Sequence, residues 1–175
     1  MGRKKKSRRS LGTSKEVQEQ EIVDAYEGQR LDGLLEVIWR SIELAKLARG
    51  ELPDKIWIKQ QFAVGVNDVT RLLERMPLGE TARDAHEISC SSNNSIRRST
   101  LVPLQVVLVA ADCNPKWLTK HIPVLASSRK VPVILVRDGK GGSLRLGGLL
   151  NLKTALAIGV KARGSCINAA LVEFI

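Results

Sequence analysis

The residues best suited to recognise a ligand lie in one stretch, Gly65-Val66-Asn67-Asp68-Val69-Thr70-Arg71-Leu72-Leu73-Glu74-Arg75. Asn67 offers a donor and an acceptor, Asp68 accepts through a carboxylate, and Arg71 carries a guanidinium fork. This set suits nucleobase edges and phosphate oxygens. A glycine ahead of an asparagine predicts a helix start, with the Asn67 side chain as its cap. Asp68 then falls in the first turn, where the helix dipole favours negative charge. At helical spacing, Val66, Val69, Leu72, Leu73 and Met76 form an apolar stripe, and Asn67, Asp68, Arg71, Glu74 and Arg75 form the opposite polar face. An ordinary capped amphipathic helix has the same pattern. The sharper reading is a helix start whose polar groups converge on an RNA feature.

Other chemistries fit the residues poorly. The glycines Gly139, Gly141, Gly142, Gly147 and Gly148 match no Gly-x-x-x-x-Gly-Lys-Ser/Thr and read as loop and cap positions. A Ser-His-Asp arrangement has only His86 and His121 to draw on, and His121 sits in a predicted helix. Asp84, His86, Glu87 and Cys90 fit no standard metal spacing. Cys90, Cys113 and Cys166 are odd in number and far apart, which speaks against a disulfide framework and for a reducing, intracellular compartment. The expectation is therefore a protein with no catalytic centre, no metal and no cofactor.

Composition narrows the partner. The 175 residues are 43% hydrophobic, enough for a sizeable core, and carry a net charge of +10. Six basic residues (Arg3, Lys4, Lys5, Lys6, Arg8, Arg9) stand in the first ten positions with no acid among them, leaving +4 for the rest. Basic balance suits a polyanion, because neutralising phosphates releases counterions. Aromatics are only 3%, too few for a base-stacking platform. RNA, if bound, would be read by shape, phosphates and a few base edges. No apolar run reaches membrane-spanning length, and no partner membrane is expected.

The elements that must position the opening stretch follow from periodicity. Residues 1–29 read as a basic, disordered tail, with Lys4–Lys6 and Arg8–Arg9 a nuclear or nucleolar address or a nonspecific RNA-contacting arm. Residues 30–175 form the domain. Leu31 to Arg49 predicts a helix closed by Gly50 and Pro53. Ile56 and Ile58 alternate with Lys55, Trp57 and Lys59, predicting a short strand. On it, Lys55, Lys59 and Gln60 would face either the ligand of Asn67 or solvent. Residues 77–102 are polar and aperiodic and read as a flexible insertion, in which Arg97 and Arg98 could touch phosphate. Val106 to Ala111 and Val131 to Val136 predict strands buried on both faces. Asn114 as cap and Pro115 in the first turn predict a helix over 115–129 between them. A short helix over 144–153 and a strand over 155–160 follow, and the ending 169–175 fits either a last strand or a helix stub. Alternating strands and helices predict an α/β fold with helices on both faces.

The same stretch closely resembles the Gly-x-Asn-Glu-x-Thr-Lys-x-x-Glu-Arg signature of the kink-turn RNA-binding ribosomal-protein family. Ala110-Ala111-Asp112-Cys113-Asn114-Pro115 is similar to its Ala-x-Asp-x-x-Pro turn. His121-Ile122-Pro123-Val124-Leu125 is similar to its His-Leu-Pro-x-Leu helix, and Val131-Pro132 and Leu146-Gly147 follow in order. The resemblance spans about residues 31–165. Within the family, Val69-Thr70-Arg71 and Leu152-Lys153 most resemble the kink-turn-type protein subunit of eukaryotic RNase P and RNase MRP. Ribosomal and snoRNP members usually have Lys where this chain has Arg71.

The resemblance implies a three-layer α/β/α sandwich with a four-stranded mixed sheet. It implies a noncatalytic subunit of a ribonuclease P/MRP-type ribonucleoprotein, nuclear and nucleolar, acting in precursor-tRNA and rRNA processing. Its partners would be a structured RNA with a kink-turn and other protein subunits of the particle. Gly65 would let backbone approach the RNA, and Asn67, Asp68 and Arg71 would reach the guanines of tandem sheared G·A pairs. Lys59 and Lys153 would add cations. Leu149, Leu150 and Leu152 would line a flipped-out nucleotide or pack in the core. A ribosomal or box C/D snoRNP kink-turn protein, or a protein-interaction adapter of the same fold, are the alternatives. Asp68 departs from the family's Glu by one methylene, so a water would bridge what Glu touches directly.

Overall fold

The computed structural model describes residues 25–78, 102–139 and 141–175. The tail reading for residues 1–24, the insertion reading for 79–101 and the positions of Asp84, His86, Glu87, Cys90, Arg97 and Arg98 lie outside them. Ala25 and Tyr26 already form a strand and Gly28 opens a helix, inside the span 1–29 read as tail.

Five strands, β1 (Ala25–Tyr26), β2 (Phe62–Val64), β3 (Leu104–Ala110), β4 (Val133–Val136) and β5 (Ala157–Lys161), form one sheet in the order β1-β4-β3-β5-β2. β1 and β3 run parallel to β4, while β5 runs antiparallel to β3 and β2. The sheet is mixed as expected, but it has five strands rather than four. The additional strand is β1. Its two residues pair with Leu135 and Val136, too short a run to leave an alternation in the sequence.

Helices cover both faces. On one lie α1 (Gly28–Leu47), α2 (Asp54–Gln61), α5 (Gly142–Leu149) and α6 (Cys166–Leu171), whose buried side chains pack on Val106, Leu108 and Ala110 of β3. On the other lie α3 (Val66–Arg75) and α4 (His121–Ser128), packed on Val107 and Val109. The alternation along β3 thus feeds two separate cores, as period-two side chains require. A register shift between Leu104 and Val106 turns Leu104 to the α3–α4 side.

Two predicted elements are corrected, and a third is decided. The strand expected around Ile56–Ile58 is helix α2, started by Pro53 and by Asp54 in its first turn. Only Trp57 of that helix is buried and Ile56 stays half exposed, so the apparent alternation marked no sheet face. The real strand follows at Phe62–Val64. The helix expected over 115–129 starts later. Pro115 is extended, a 3-10 turn spans Lys116–Leu118, and α4 begins at His121, with Pro123 in the first turn where no N–H is needed. Of the two forms the ending allowed, the helix is the one present: α6, held by a capping box in which the Asn168 Oδ1 accepts from the Ser165 N–H at 2.9 Å.

Candidate nucleic-acid interface

Helix α3 starts differently from the sequence expectation. Gly65, not Asn67, is the N-cap, with φ +96°. Its N–H donates to the Ala157 carbonyl at 2.8 Å, closing the β2–β5 ladder, and its own carbonyl accepts from Val69 at 3.1 Å, opening the helix. Strand ends and helix begins within one residue, and the positive φ makes that residue glycine. Asn67 stands in the first turn, so its amide is not spent on capping. No side chain caps this end, which leaves the N–H groups of Val66, Asn67 and Asp68 without intrahelical acceptors. The space in front is open: a Cβ on Gly65 would meet nothing within 4 Å. An uncapped, glycine-fronted helix start is a ready acceptor-binding surface.

The stripe behaves as expected. Val69 and Leu73 are fully buried and Met76 nearly so, while Asn67, Asp68, Arg71, Glu74 and Arg75 are exposed on the opposite face. Thr70 takes neither side. Its Oγ1 sits 2.9 Å from the Nε2 of His121 and ties α3 to the start of α4.

Beside this helix start runs a groove of about 730 Å³, between α2 and α3 at the outer edge of β2. Lys55, Lys59, Arg71, Arg75 and Lys161 line it together with the single carboxylate of Asp68. Its floor is apolar, with Phe62, Ala63 and Val64 of β2. Lys161 ties β5 to the α2 wall, because its Nζ donates to the Lys59 carbonyl oxygen. Burial lowers the Lys161 ammonium below its ordinary value of 10.5, the nearby Arg163 charge lowers it further, and the Asp68 carboxylate partly restores it.

The sequence-predicted residues therefore divide. Gly65, Asn67, Asp68 and Arg71 converge at the α3 start, and Lys59 faces the groove they border. Leu152 lines the same groove and is exposed. Lys153 is exposed beside it. Leu149 and Leu150 are buried in the core under α1 and α6. The turn explains the split: Asn151 has φ +55°, and this left-handed residue reverses the chain between Leu150 and Leu152. Gly147 holds that turn in place by accepting the Leu150 and Leu152 N–H groups at 3.0 and 2.9 Å. A Cβ on Gly147 would lie 2.7 Å from the Thr154 Cα, so only glycine fits there. The sequence reading missed Lys161. A single lysine closing an apolar strand carries no spacing signal, and only the pairing of β5 with β2 brings it to the groove.

The remaining motif is structural. Asp112, at the carboxyl end of β3, accepts the Gly142 N–H at 2.9 Å and the Asp138 N–H at 3.3 Å, fastening the start of α5. No group of three or more His, Cys, Asp or Glu suited to a metal occurs among the described residues, and none of their helices is long and apolar enough to cross a membrane.

A three-layer α/β/α domain with a basic groove beside an uncapped helix start is the class that fold and site define. The sequence profile of the Ribosomal protein L7Ae/L30e/S12e/Gadd45 family matches residues 80–169, and the chain belongs to that family. The matched span begins after α3, so it assigns the family without using the Gly65–Arg75 stretch. Among solved structures, the chain is similar to the Giardia lamblia 15.5kD RNA binding protein, with a TM-score of 0.51, 13% identity, and coverage of 85% of this chain and 87% of that one. At that identity the likeness is one of fold. No curated protein sequence matches the chain.

Proposed function

We propose that the protein is a noncatalytic RNA-binding subunit of a ribonuclease P/MRP-type ribonucleoprotein, working in the nucleus and nucleolus on precursor-tRNA and rRNA processing. The observation that carries RNA binding is the α3 start. It has backbone donors without intrahelical acceptors, a glycine with open space in front of it, and the exposed Asn67, Asp68 and Arg71 set around it. A kink-turn offers matching groups in the guanine edges of its sheared G·A pairs. Asn67 gives and takes hydrogen bonds, Asp68 accepts from guanine N–H groups, and Arg71 forks onto guanine O6 and N7 or a phosphate. Leu152 and Lys153 flank the same entrance. Family membership supports this reading, as does the likeness of fold to a protein named for RNA binding.

The assignment to a ribonuclease P/MRP-type particle rests on Val69-Thr70-Arg71 and Leu152-Lys153. The basic run Lys4–Arg9 suits a nucleolar address. Crosslinking the tagged protein to RNA in cells, followed by sequencing, tests it. An RNase P or MRP RNA is the expected partner. Recovery of only ribosomal or box C/D RNA overturns the assignment within the family, and recovery of proteins with no RNA overturns RNA binding itself.

A further inference from the structure

The distribution of unmatched charge carries a second assignment. Ion pairs occupy five of the described cations: Arg40 pairs with Glu36, Lys46 with Glu43, Arg49 with Asp54, Arg137 with Glu27, and Arg145 with Asp32. None of the five cations of the β2 groove has an ion-pair partner among the described residues. Five cations against the one carboxylate of Asp68 give the groove +4. The whole chain beyond residue 10 carries no more than that. Other described cations, such as Lys116, Lys120 and Lys130, are also without an ion pair among the described residues, but these five are gathered in one concave surface, where low-dielectric walls focus their field.

The groove's shape says what kind of anion suits it. Among the described residues β2 is the last strand of the sheet, and no strand pairs with its outer edge. Gly65 bonds inward to Ala157, and the antiparallel alternation therefore turns the Val64 N–H outward into the groove. Cations on both walls and a backbone donor on the floor suit a chain of anions lying along the groove. Lys161 reinforces this: a partly buried ammonium facing Arg163 gains from a nearby negative charge.

We propose that this groove is a phosphodiester channel, in which Lys55, Lys59, Arg75 and Lys161 hold consecutive backbone phosphates of the RNA arm that leaves the helix start of α3. The inference rests on the RNA-binding reading of that helix start. It adds a second site with a role of its own. The α3 start discriminates bases, whereas the groove supplies sequence-independent affinity and fixes the direction of the arm.

Salt titrations of the full-length protein separate the two sites. The probes are a duplex with tandem G·A pairs at a kink-turn and the same duplex with G·C pairs in their place. For the double variant Lys59→Gln, Lys161→Met, affinity is expected to fall on the order of tenfold on both duplexes, with the salt slope flatter by about 2, since each lost phosphate contact removes about one. The preference between the duplexes stays unchanged. Lys59→Arg, Lys161→Arg restores the slope, which a merely misfolded variant would not allow. Asn67→Ala has the opposite signature, a lost preference at unchanged slope. An unchanged slope in the double variant overturns the channel. A wild-type protein that shows no preference overturns the kink-turn reading while the slope still reports on the groove.

Discussion

Thr70 Oγ1 and His121 Nε2 lie 2.9 Å apart, a side-chain hydrogen bond that joins the helix carrying Asn67, Asp68 and Arg71 to the helix beside it. Both residues belong to the ordered family motifs, yet their contact is with each other. They position α3 on its neighbour. Removing either partner is expected to cost under about 1 kcal/mol, since the bond is solvent-accessible and a net hydrogen bond is worth about 0.5–1.5 kcal/mol. Thr70→Val and His121→Ala should therefore lower the urea midpoint slightly, and the two losses should not add. Additive losses would show that the pair does not act as a unit.

Gly65→Ala tests the junction of β2 and α3. The Cβ meets no atom, so the whole cost is conformational: φ +96° is a backbone state that L-residues avoid, by roughly 1–2 kcal/mol. Thermal melting should show a loss of that size. RNA affinity should fall further than the folded fraction explains, because relaxing φ turns the Val66 and Asn67 N–H groups away from their common direction. A variant that melts early but binds at full strength would show that these donors do not touch the RNA.

Gly147→Ala is a steric test at the other border of the groove. Its Cβ would stand 2.7 Å from the Thr154 Cα and 2.8 Å from the Leu152 carbonyl oxygen, both backbone atoms that cannot swing aside. Overpacking of this kind costs about 1–3 kcal/mol. The segment 150–154 should shift, carrying Leu152 and Lys153 with it. Hydrogen exchange of the Leu150 and Leu152 amides, both bonded to the Gly147 carbonyl, reads that shift directly. Unchanged protection would mean that the turn absorbs the methyl group.

Asp68→Glu restores the length that the family pattern has at this position. If the shorter carboxylate reaches guanine only through a water, the added methylene converts a bridged contact into a direct one. The expected gain is about 1 kcal/mol, roughly fivefold in affinity for the kink-turn duplex and none for its G·C control. A gain on both duplexes, or on neither, would remove Asp68 from the base contacts.

What could be read without coordinates follows the physics of each residue. The apolar runs of β3, β4 and β5 were legible because strands buried on both faces leave continuous hydrophobic stretches. The polar and apolar faces of α3 were legible because helical spacing displays them directly. β1 and β2 were not, as two and three residues hold no period. Ile56 and Ile58 imitated a strand because Trp57 between them is the one buried residue of α2. Leu150 joined the site candidates because the left-handed Asn151 that separates it from Leu152 is invisible in a run of leucines. Lys161 went unseen for a different reason. Its significance comes from a β5–β2 pairing that joins residues about a hundred positions apart in sequence.

Lys161 also makes a prediction about pH. Burial and then Arg163 lower its ammonium below 10.5, while Asp68 pulls it partly back. Its charged form is thus less favourable in the folded protein than in the unfolded chain. Between the depressed value and 10.5 the unfolded chain binds more protons, so this residue's contribution to stability rises with pH through that window. Below the window its penalty is present in full. Lys161→Met removes the penalty together with the bond to the Lys59 carbonyl, and the bond is lost equally at every pH below the window. The wild-type-minus-variant difference in urea midpoint should therefore be constant at neutral pH and shift in favour of wild type as pH climbs towards 10.5. Other lysines titrate in both proteins and cancel in the difference. Asp68→Asn removes the restoring carboxylate, so it should extend the window to lower pH. A wild-type-to-variant difference that stays flat across the alkaline range would show that Lys161 is not held in a desolvating site.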